Sequence, residues 1–495
     1  MQSFSLTHLT YRRSLFKFAT TFLTLLTMLM TTAAEGRKPN IIFILMDDMG
    51  YSDVSCYGAT GVDTPNIDRL AKNGLQFTNF HSGASICSPS RAAYLTGAYP
   101  QRCGLYMGIN ENREPHWFLG LNPDEITLAE LCLSQGYKTL MIGKWHLGTE
   151  EQFSYYNQGF EHYYGAPSNI HHNPEFFDDK EQLYANTPLE QLASLYTNKV
   201  IEHVRTYKDQ PFFLFYSHQY PHTPYKCSKK WKGSSRSGVR GDALQEVDWG
   251  IGQMIDTLEE EGILDNTMII FASDNGAISN KHCLPFRGTK YVTFEGGHRV
   301  PFIIHYPALI HKAAEVDQLT TAMDLFPTVA ELIGTELPSD RLYDGMSLKP
   351  LLQGELLTRS QEEPFYYYNC ENLQAVKKGD WKIHLPREKS QVPFWEHNKE
   401  FIGMKKPILY HLKNDINEQH NVAAQYPKIV AELTHLAEQQ RKHLGEFQQR
   451  GDQQRATGSL FPEVPVVSHQ KDWYRLSESI KGRGQSEFTG GHNKH

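Results

Sequence analysis

Ile41-Ile42-Phe43-Ile44-Leu45-Met46-Asp47-Asp48 is an unbroken apolar run that stops abruptly at two carboxylates. An apolar run with no polar alternation is the composition of a strand buried on both faces, as in a parallel sheet covered by helices. Three later runs share that character, at residues 139–142, 212–216 and 268–272. Helical patterns lie between them, with Leu128, Leu131 and Leu133 before Gly136 and another from Leu244 to Leu258 before Gly262. Strand and helix alternate. The expected fold is therefore α/β, a large mixed and mostly parallel sheet sandwiched by helices.

Each apolar run leads into residues that carry chemistry. The first ends in Asp47-Asp48, the second in Gly143-Lys144-Trp145-His146, the third in Ser217-His218 and on to His222, the fourth in Ser273-Asp274-Asn275-Gly276. Ligands of open α/β sheets bind beyond the carboxyl ends of the strands, so groups far apart in sequence can share one cleft. Asp47, Asp48, Asp274 and Asn275 are four hard oxygen donors suited to Ca²⁺ or Mg²⁺, and the lack of His or Cys among them argues against zinc. Either pair alone could equally cap a helix or turn.

Cys87-Ser88-Pro89-Ser90-Arg91-Ala92-Ala93-Tyr94-Leu95-Thr96-Gly97 reads as a helix start. Ser88 is a suitable cap, and Pro89 loses nothing where the N–H is unpaired anyway. Cys87 is then expected at a helix N-terminus, where the dipole and free amides favour an anion, with Arg91 one turn further in.

That string resembles the sulfatase signature Cys-x-Pro-x-Arg continuing to Thr-Gly, matched at Cys87, Pro89, Arg91, Thr96 and Gly97. The stretch 136–146 resembles the second sulfatase signature, and Phe286-Arg287-Gly288-Thr289-Lys290 with Glu295-Gly296-Gly297-His298-Arg299-Val300-Pro301 resembles a further pattern. Pro221-His222-Thr223-Pro224 is similar to the family's His-x-Pro segment after a strand, and its prolines are expected to hold His222 rigidly. Leu409-Tyr410-His411-Leu412 before Asp415 and Glu418 looks like the tail of arylsulfatase-type enzymes, with His411 where relatives often have Asp. The resemblance runs from about residue 39 to 423. It is to type I, formylglycine-dependent sulfatases of the arylsulfatase A and N-acetylgalactosamine-6-sulfatase kind, in the alkaline phosphatase superfamily.

The resemblance implies that Cys87 is converted after translation to formylglycine (3-oxoalanine) by a formylglycine-generating enzyme. It implies a catalytic set of Cys87, Arg91, Lys144, His146, His222 and Lys290. It also implies one divalent cation, Ca²⁺ before Mg²⁺, on Asp47, Asp48, Asp274 and Asn275 with the modified Cys87. A hydroxyl of the hydrated aldehyde then attacks sulfur, and the cation, Arg91, Lys144 and Lys290 neutralise the sulfuryl oxygens. His222, ahead of its rival His218, protonates the leaving alcohol, and the second hydroxyl, with a base such as His146, expels sulfate. Glu295 and Arg299 are expected to support the Lys290 loop. The expected substrate is a sulfate monoester, with a sulfated carbohydrate as the leading class. Two alternatives are a phosphonate or phosphodiester hydrolase of the same superfamily, which typically has His at the position of Asn275, and a catalytically silent glycan-binding protein.

Bulk properties bound the rest. A net charge of -7 over 495 residues leaves no general basic footprint, so nucleic acid is not expected as a partner and any anion site is local. Arg12, Arg13 and Lys17 precede a short apolar run, 18–30, and then Thr32-Ala33-Ala34. Residues 1–34 read as a signal peptide, ahead of the competing reading of a single membrane anchor for which the run is short, giving an exported protein (periplasmic or secreted, lysosomal in a eukaryote) with no stable membrane span after cleavage. The seven cysteines show no CxxC spacing, so neither zinc nor a dense disulfide framework is expected, although one or two disulfides are possible. The expected organisation is a catalytic domain at 35–360, a small α+β domain at 361–450 and a polar tail at 451–495 with no assigned element. In the small domain, strands at 373–376 and 381–385 flank a Lys-Lys-Gly-Asp turn, a strand follows at 408–412, and a helix follows Pro427. His171 and His172 receive no role.

Overall fold

The computed structural model describes residues 37–109, 118–357, 363–388, 403–446 and 449–460. The expected signal peptide at 1–34 and the tail from 461 onward lie outside the described residues.

Ten strands form the main sheet. They are β1 (Asn40–Met46), β2 (Leu75–Phe77), β3 (Lys138–Gly143), β4 (His162–Gly165), β5 (Phe176–Asp178), β6 (Glu181–Tyr184), β7 (Phe212–Ser217), β8 (Thr267–Ser273), β9 (Phe302–His305) and β10 (Ala314–Val316). Their spatial order is β10-β2-β9-β8-β1-β7-β3-β4-β5-β6. The run β8-β1-β7-β3-β4 is parallel, while β9 is antiparallel to both of its neighbours, and β5 and β6 return antiparallel at the far edge. The four strands expected from the apolar runs are thus four adjacent central strands, β8, β1, β7 and β3. Registers such as Met46 beside Ser273 and Gly143 beside Ser217 align their carboxyl ends at one edge.

Two apolar layers explain why these runs lack polar alternation. Ile41, Phe43 and Leu45 point to one side, and Ile42, Ile44 and Met46 to the other, all of them fully buried. On the second side lie α1 (Pro65–Lys72), α4 (Leu192–Tyr207) and α5 (Gly238–Glu260); on the first lie α2 (Cys87–Thr96), α3 (Leu128–Ser134) and α6 (Leu325–Leu332). Each such buried side chain contributes about 1.5–3 kcal/mol of transfer free energy. A polar residue on either face of β1 would lose that without gaining water. The start of α3 is fixed locally: Thr127 Oγ1 accepts from the Glu130 amide at 3.2 Å, and Glu130 Oε2 accepts from the Thr127 amide at 2.8 Å.

A separate four-stranded antiparallel sheet follows in simple order: β11 (Phe365–Asn369), β12 (Asn372–Lys378), β13 (Trp381–His384) and β14 (Ile408–His411). The helix after Pro427, α7 (Pro427–Leu444), packs on β12 and β13. The edge strand β11 was not among the expected elements. In the stretch after residue 451, Gly458–Ser459 pairs antiparallel with Leu119–Gly120, although the sequence there carries no strand pattern. All seven cysteines are unpaired thiols. Among the described residues no helix is long and apolar enough to cross a membrane.

Candidate active site

Asp47 and Asp48 leave the end of β1, Lys144 and His146 the end of β3, His218 and His222 the end of β7, and Asp274 and Asn275 the end of β8. α2 enters the same cleft with Cys87 as its first residue. Its N-cap is Ile86, so Ser88 does not cap the helix as its sequence suggests. The Ser88 hydroxyl is engaged elsewhere, accepting from the Ile109 amide at 3.1 Å and meeting His146 Nδ1 at 3.2 Å. Tertiary partners have outcompeted the local cap.

Three carboxylates and one thiol converge. Ligand atoms of Asp47, Asp48, Cys87 and Asp274 all lie within 4.8 Å of one another. Three cations surround them: Lys144 Nζ is 2.7 Å from Asp47 Oδ2, Arg91 Nη2 is 2.8 Å from Asp274 Oδ2, and Lys290 Nζ is 2.7 Å from Asp48 Oδ1. Lys290 Nζ also reaches Cys87 Sγ at 3.1 Å. Every member of this cluster is buried. Burial alone raises the Asp47 carboxyl, but Lys144, His222, Arg91 and Lys290 outweigh it and hold the group well below the usual carboxylate range. Asp274 goes the other way, pushed up to about 7 by burial and by Asp47 despite Arg91. Burial also pushes the Cys87 thiol up, against the pull of Lys144 and Lys290. An unmodified Cys87 is therefore a poor thiolate, contrary to what a helix N-terminus by itself suggests.

The donor set fits a hard divalent cation. Its oxygens are carboxylates crowded so closely that one is driven toward protonation, a repulsion that a bound cation relieves. Asn275 donates from Nδ2 to Asp48 Oδ1 at 2.8 Å, and its buried Oδ1 has no hydrogen-bond partner, which leaves a free oxygen donor at the cluster. Asp48 holds a positive φ of 61° and His146 one of 58°, an uncommon backbone state for residues other than glycine and one that concentrates at functional sites. Gly276, next to Asn275, is required by crowding: a Cβ there would lie 1.8 Å from the Gly296 carbonyl oxygen. That contact seats the Lys290 loop against the end of β8.

The histidines divide by surroundings. His222 Nε2 lies 3.6 Å from Asp48 Oδ2, and its Nδ1 lies 2.7 Å from the Thr223 carbonyl oxygen, so Nδ1 carries a proton and Nε2 faces the cluster. His146 has both ring nitrogens engaged, by Ser88 Oγ and by Asn169 Nδ2 at 3.0 Å; burial, then the Lys144 and Arg91 charges, hold it neutral. His218 is completely buried, accepts from the Tyr220 amide at 2.9 Å, and is pushed down to about 3 by burial. His171 stacks on His222, with ring centroids 5.4 Å apart.

The sequence did not single out several supports. Ser217 Oγ donates to the Lys144 carbonyl and receives Arg91. Asn169 holds His146. Arg240 Nη2 donates to the Asp48 carbonyl at 3.3 Å while pairing with Asp53. Glu295, which the sequence does mark as a support of the Lys290 loop with Arg299, lies 3.6 Å from Arg299 and also accepts from Lys382 Nζ at 2.9 Å and lies 3.1 Å from His81. Glu418 accepts from the Glu295 amide at 2.7 Å, and its carbonyl accepts from Arg287 at 2.7 Å, so it clamps both ends of the Lys290 loop from the small sheet's side of the chain. No spacing pattern links these residues in sequence.

Residues 39–335 match the family model described as Sulfatase, and residues 289–443 match the one described as N-sulphoglucosamine sulphohydrolase, C-terminal. The chain is 34% identical to the N-acetylgalactosamine-6-sulfatase of Homo sapiens, over 84% of this chain and 88% of that protein. It is 32% identical to the N-acetylgalactosamine-6-O-sulfatase of Bacteroides thetaiotaomicron, over 82% and 93%. Among solved structures, a Bacteroides thetaiotaomicron protein described under the metabolism of multiple glycosaminoglycans superposes with a TM-score of 0.73 at 30% identity, covering 82% of this chain and all of that one. A phosphonate monoester hydrolase from Silicibacter pomeroyi shares the fold, with a TM-score of 0.59 at 18% identity, covering 81% of this chain and 94% of that one. With one family model spanning more than half of its length and relatives about a third identical along most of theirs, the chain belongs to the sulfatase family and is a sulfate ester hydrolase.

Proposed function

We propose that this enzyme removes sulfate from a sulfated carbohydrate, using a formylglycine made from Cys87 by a formylglycine-generating enzyme and one Ca²⁺. The observation that carries the reading is Cys87 at the first turn of α2, with Sγ 3.1 Å from Lys290 Nζ and 3.4 Å from Asp47 Oδ1. The hydrated aldehyde at residue 87 would supply one hydroxyl as the nucleophile at sulfur and a second able to expel sulfate by elimination, which a plain Ser or Cys cannot do. Asp47, Asp48, Asp274, Asn275 and residue 87 would hold the cation, which would supply positive charge toward the sulfuryl oxygens.

The remaining work falls to the chain's own groups. Lys290, kept charged by Asp48 in spite of burial, lies at residue 87 and binds both a sulfate oxygen and the leaving oxygen. Arg91 and Lys144 hold the carboxylates and present fixed positive charge in a dry site, where it acts most strongly. His222, with Nδ1–H held on the Thr223 carbonyl, takes a second proton on Nε2 beside Asp48 and gives that proton to the departing alcohol. His146, neutral and buried, is the base for sulfate release once Asn169 Nδ2 yields the Nε2 lone pair that it now occupies. Sulfated carbohydrate as the substrate class is supported by the names of the relatives, which act on N-acetylgalactosamine 6-sulfate groups. Residues 1–34 direct export, and the chain divides functionally into a catalytic part at 35–360 and a small part at 361–450.

Peptide mass spectrometry of the protein from its native host tests the nucleophile: aldehyde in place of thiol at position 87 is expected, and a wholly unmodified thiol in active enzyme would overturn it. Parallel assays on aryl sulfate, aryl phosphonate and sulfated glycans test the reaction, with phosphonate turnover dominant only if the reading is wrong.

A further inference from the structure

The chain's net charge of -7 conceals one strongly basic segment. No Asp or Glu occurs between Asp209 and Asp242, and that interval holds Lys226, Lys229, Lys230, Lys232, Arg236 and Arg240. Five of the six are exposed; only Arg240 is buried. Such a run is ordinarily a solvated loop. Its anchorage makes it different.

Both ends of the loop are tied to the same cleft residue. At its start, His222 approaches Asp48 Oδ2 at 3.6 Å. At its end, Arg240 donates to the Asp48 carbonyl at 3.3 Å and lies over the Tyr225 ring. Lys226 follows His222 by four residues and Arg236 precedes Arg240 by four, so the Cα of each lies within ~14 Å of an anchor at the site, whatever the path of the chain. The loop is also held down onto α5: Asp242 accepts from the Gly233 and Ser235 amides at 2.9 and 2.8 Å, and Glu246 accepts from the Ser228 amide at 2.8 Å. These buried carboxylates bind backbone amides, not the lysine heads. Among the described residues, the ion pair formed by the five exposed cations is Lys232 with Glu190, at 3.5 Å on an exposed surface. Lys230 lies over the rings of Trp231 and Trp249, 5.5 and 5.0 Å from their centroids, which adds an aromatic surface to the cationic one.

We propose that residues 226–236 form an anion-binding rim beside the catalytic cleft, which holds a second sulfate or carboxylate group of a polyanionic oligosaccharide while its reacting sulfate sits at residue 87. The inference rests on the sulfated-carbohydrate reading and narrows it from any sulfated sugar to a chain bearing more than one anionic group. Exposed charges of this kind act through long-range attraction and orientation, so they govern productive encounter with a charged chain and leave a small monoanion almost untouched.

The test is a variant carrying Lys226→Gln, Lys229→Gln, Lys230→Gln and Arg236→Gln, all at exposed positions outside the catalytic set. On a chondroitin-sulfate tetrasaccharide, kcat/KM is expected to fall roughly tenfold or more, mainly through KM, and to lose its salt dependence, while turnover of 4-nitrocatechol sulfate stays within about twofold. Dextran sulfate titrated into Cys87→Ala protein, followed by tryptophan fluorescence, should bind more weakly when the four substitutions are added. Wild-type turnover of the tetrasaccharide with no change in the variant overturns the rim and leaves the substrate reading intact. Turnover of neither substrate, with dextran sulfate binding that still depends on the four residues, overturns the substrate reading and supports the rim. Tighter binding of a DNA duplex than of dextran sulfate at equal salt overturns the assignment to a glycan.

Discussion

Lys290 Nζ lies 3.1 Å from Cys87 Sγ, joining two residues 203 positions apart at the first turn of α2. The lysine also holds Asp48, so one ammonium bridges the nucleophile position and the carboxylate cluster. Lys290→Ala should therefore remove charge both from the bound sulfate and from the cation site. A fall in kcat of about 10²–10³-fold is expected, the range found for losing one preorganised electrostatic donor. Steady-state kinetics on aryl sulfate check it; a change confined to KM would mean that Lys290 binds substrate without acting in the transition state.

Cys87→Ala should abolish turnover and leave the fold intact. The side chain is buried, but it touches Asp47, Asp48 and Lys290 and belongs to neither of the two large apolar clusters beside the sheet. No cavity penalty of the kind seen for a buried Leu is expected. Activity and a melting curve by circular dichroism check the two halves. Collapse of the fold would count against a site role.

Chelation should remove activity and lower the melting temperature together. Burial and Asp47 push the Asp274 carboxyl up to about 7, a repulsion that a bound cation would relieve. Restored Ca²⁺ at about 100 times its Kd should return roughly 2.7 kcal/mol of stability, with Mg²⁺ less effective at equal concentration. Full activity in rigorously metal-free protein would refute the cation site, and a stronger response to Mg²⁺ would reassign the metal.

These sites were legible in the sequence because β1, β3, β7 and β8 are buried on both faces. Uninterrupted apolar runs mark such strands, and the polar residues directly after them must sit at the sheet's carboxyl edge. The outer strands β2, β5, β6 and β10 span three or four residues each, too few for a periodic signal. Ser88 shows the opposite failure, where a sound local cap signal was overridden by His146 and the Ile109 amide. Asn169 carries no pattern at all, and the tail motif that includes Glu418 says nothing of what Glu418 holds. Their roles arise from single contacts spanning 23 and 123 positions, to His146 and to the Glu295 amide, which only the folded chain reveals.

Glu295→Gln should destabilise the protein by up to about 3 kcal/mol, the low end for a broken buried pair, because Lys377 loses its carboxylate while Lys382 keeps Glu418 Oε1 at 3.0 Å. Burial raises the Glu295 carboxyl, but Lys377, Lys382 and His81 hold it well below the usual range. Its stabilising contribution is therefore complete above the unfolded carboxylate value and is lost as pH falls through the folded one. His81, His203, His218 and His298 are each pushed down to about 3 by burial, so the unfolded chain binds their protons first as pH drops below 6.5. Asp248, raised to about 6, and Asp274 and Glu418, each raised to about 7, act in the opposite sense but are fewer. Stability to urea should thus decline from pH 6.5 toward 4, and a curve rising over that interval would contradict the burial of those histidines.

His222 is the sharpest discriminator of mechanism. Its Nδ1 proton is fixed on the Thr223 carbonyl, which leaves Nε2 free to hold a proton beside the cluster, 3.6 Å from Asp48. Burial lowers its proton affinity, and Asp47 and Asp48 offset only part of that, so the net direction is down. A leaving-group acid matters in proportion to how poor the leaving group is. A sugar alkoxide is a poor leaving group and needs the proton; a nitrophenolate is stable without it. His222→Ala should therefore lower kcat on a sugar sulfate by about 10²–10⁴-fold, yet cost less than about tenfold on an activated aryl sulfate. Equal losses on both substrates would move His222 from proton donor to sulfate binder. In that case Lys290, whose Nζ lies 3.1 Å from Cys87 Sγ, would take the role of acid.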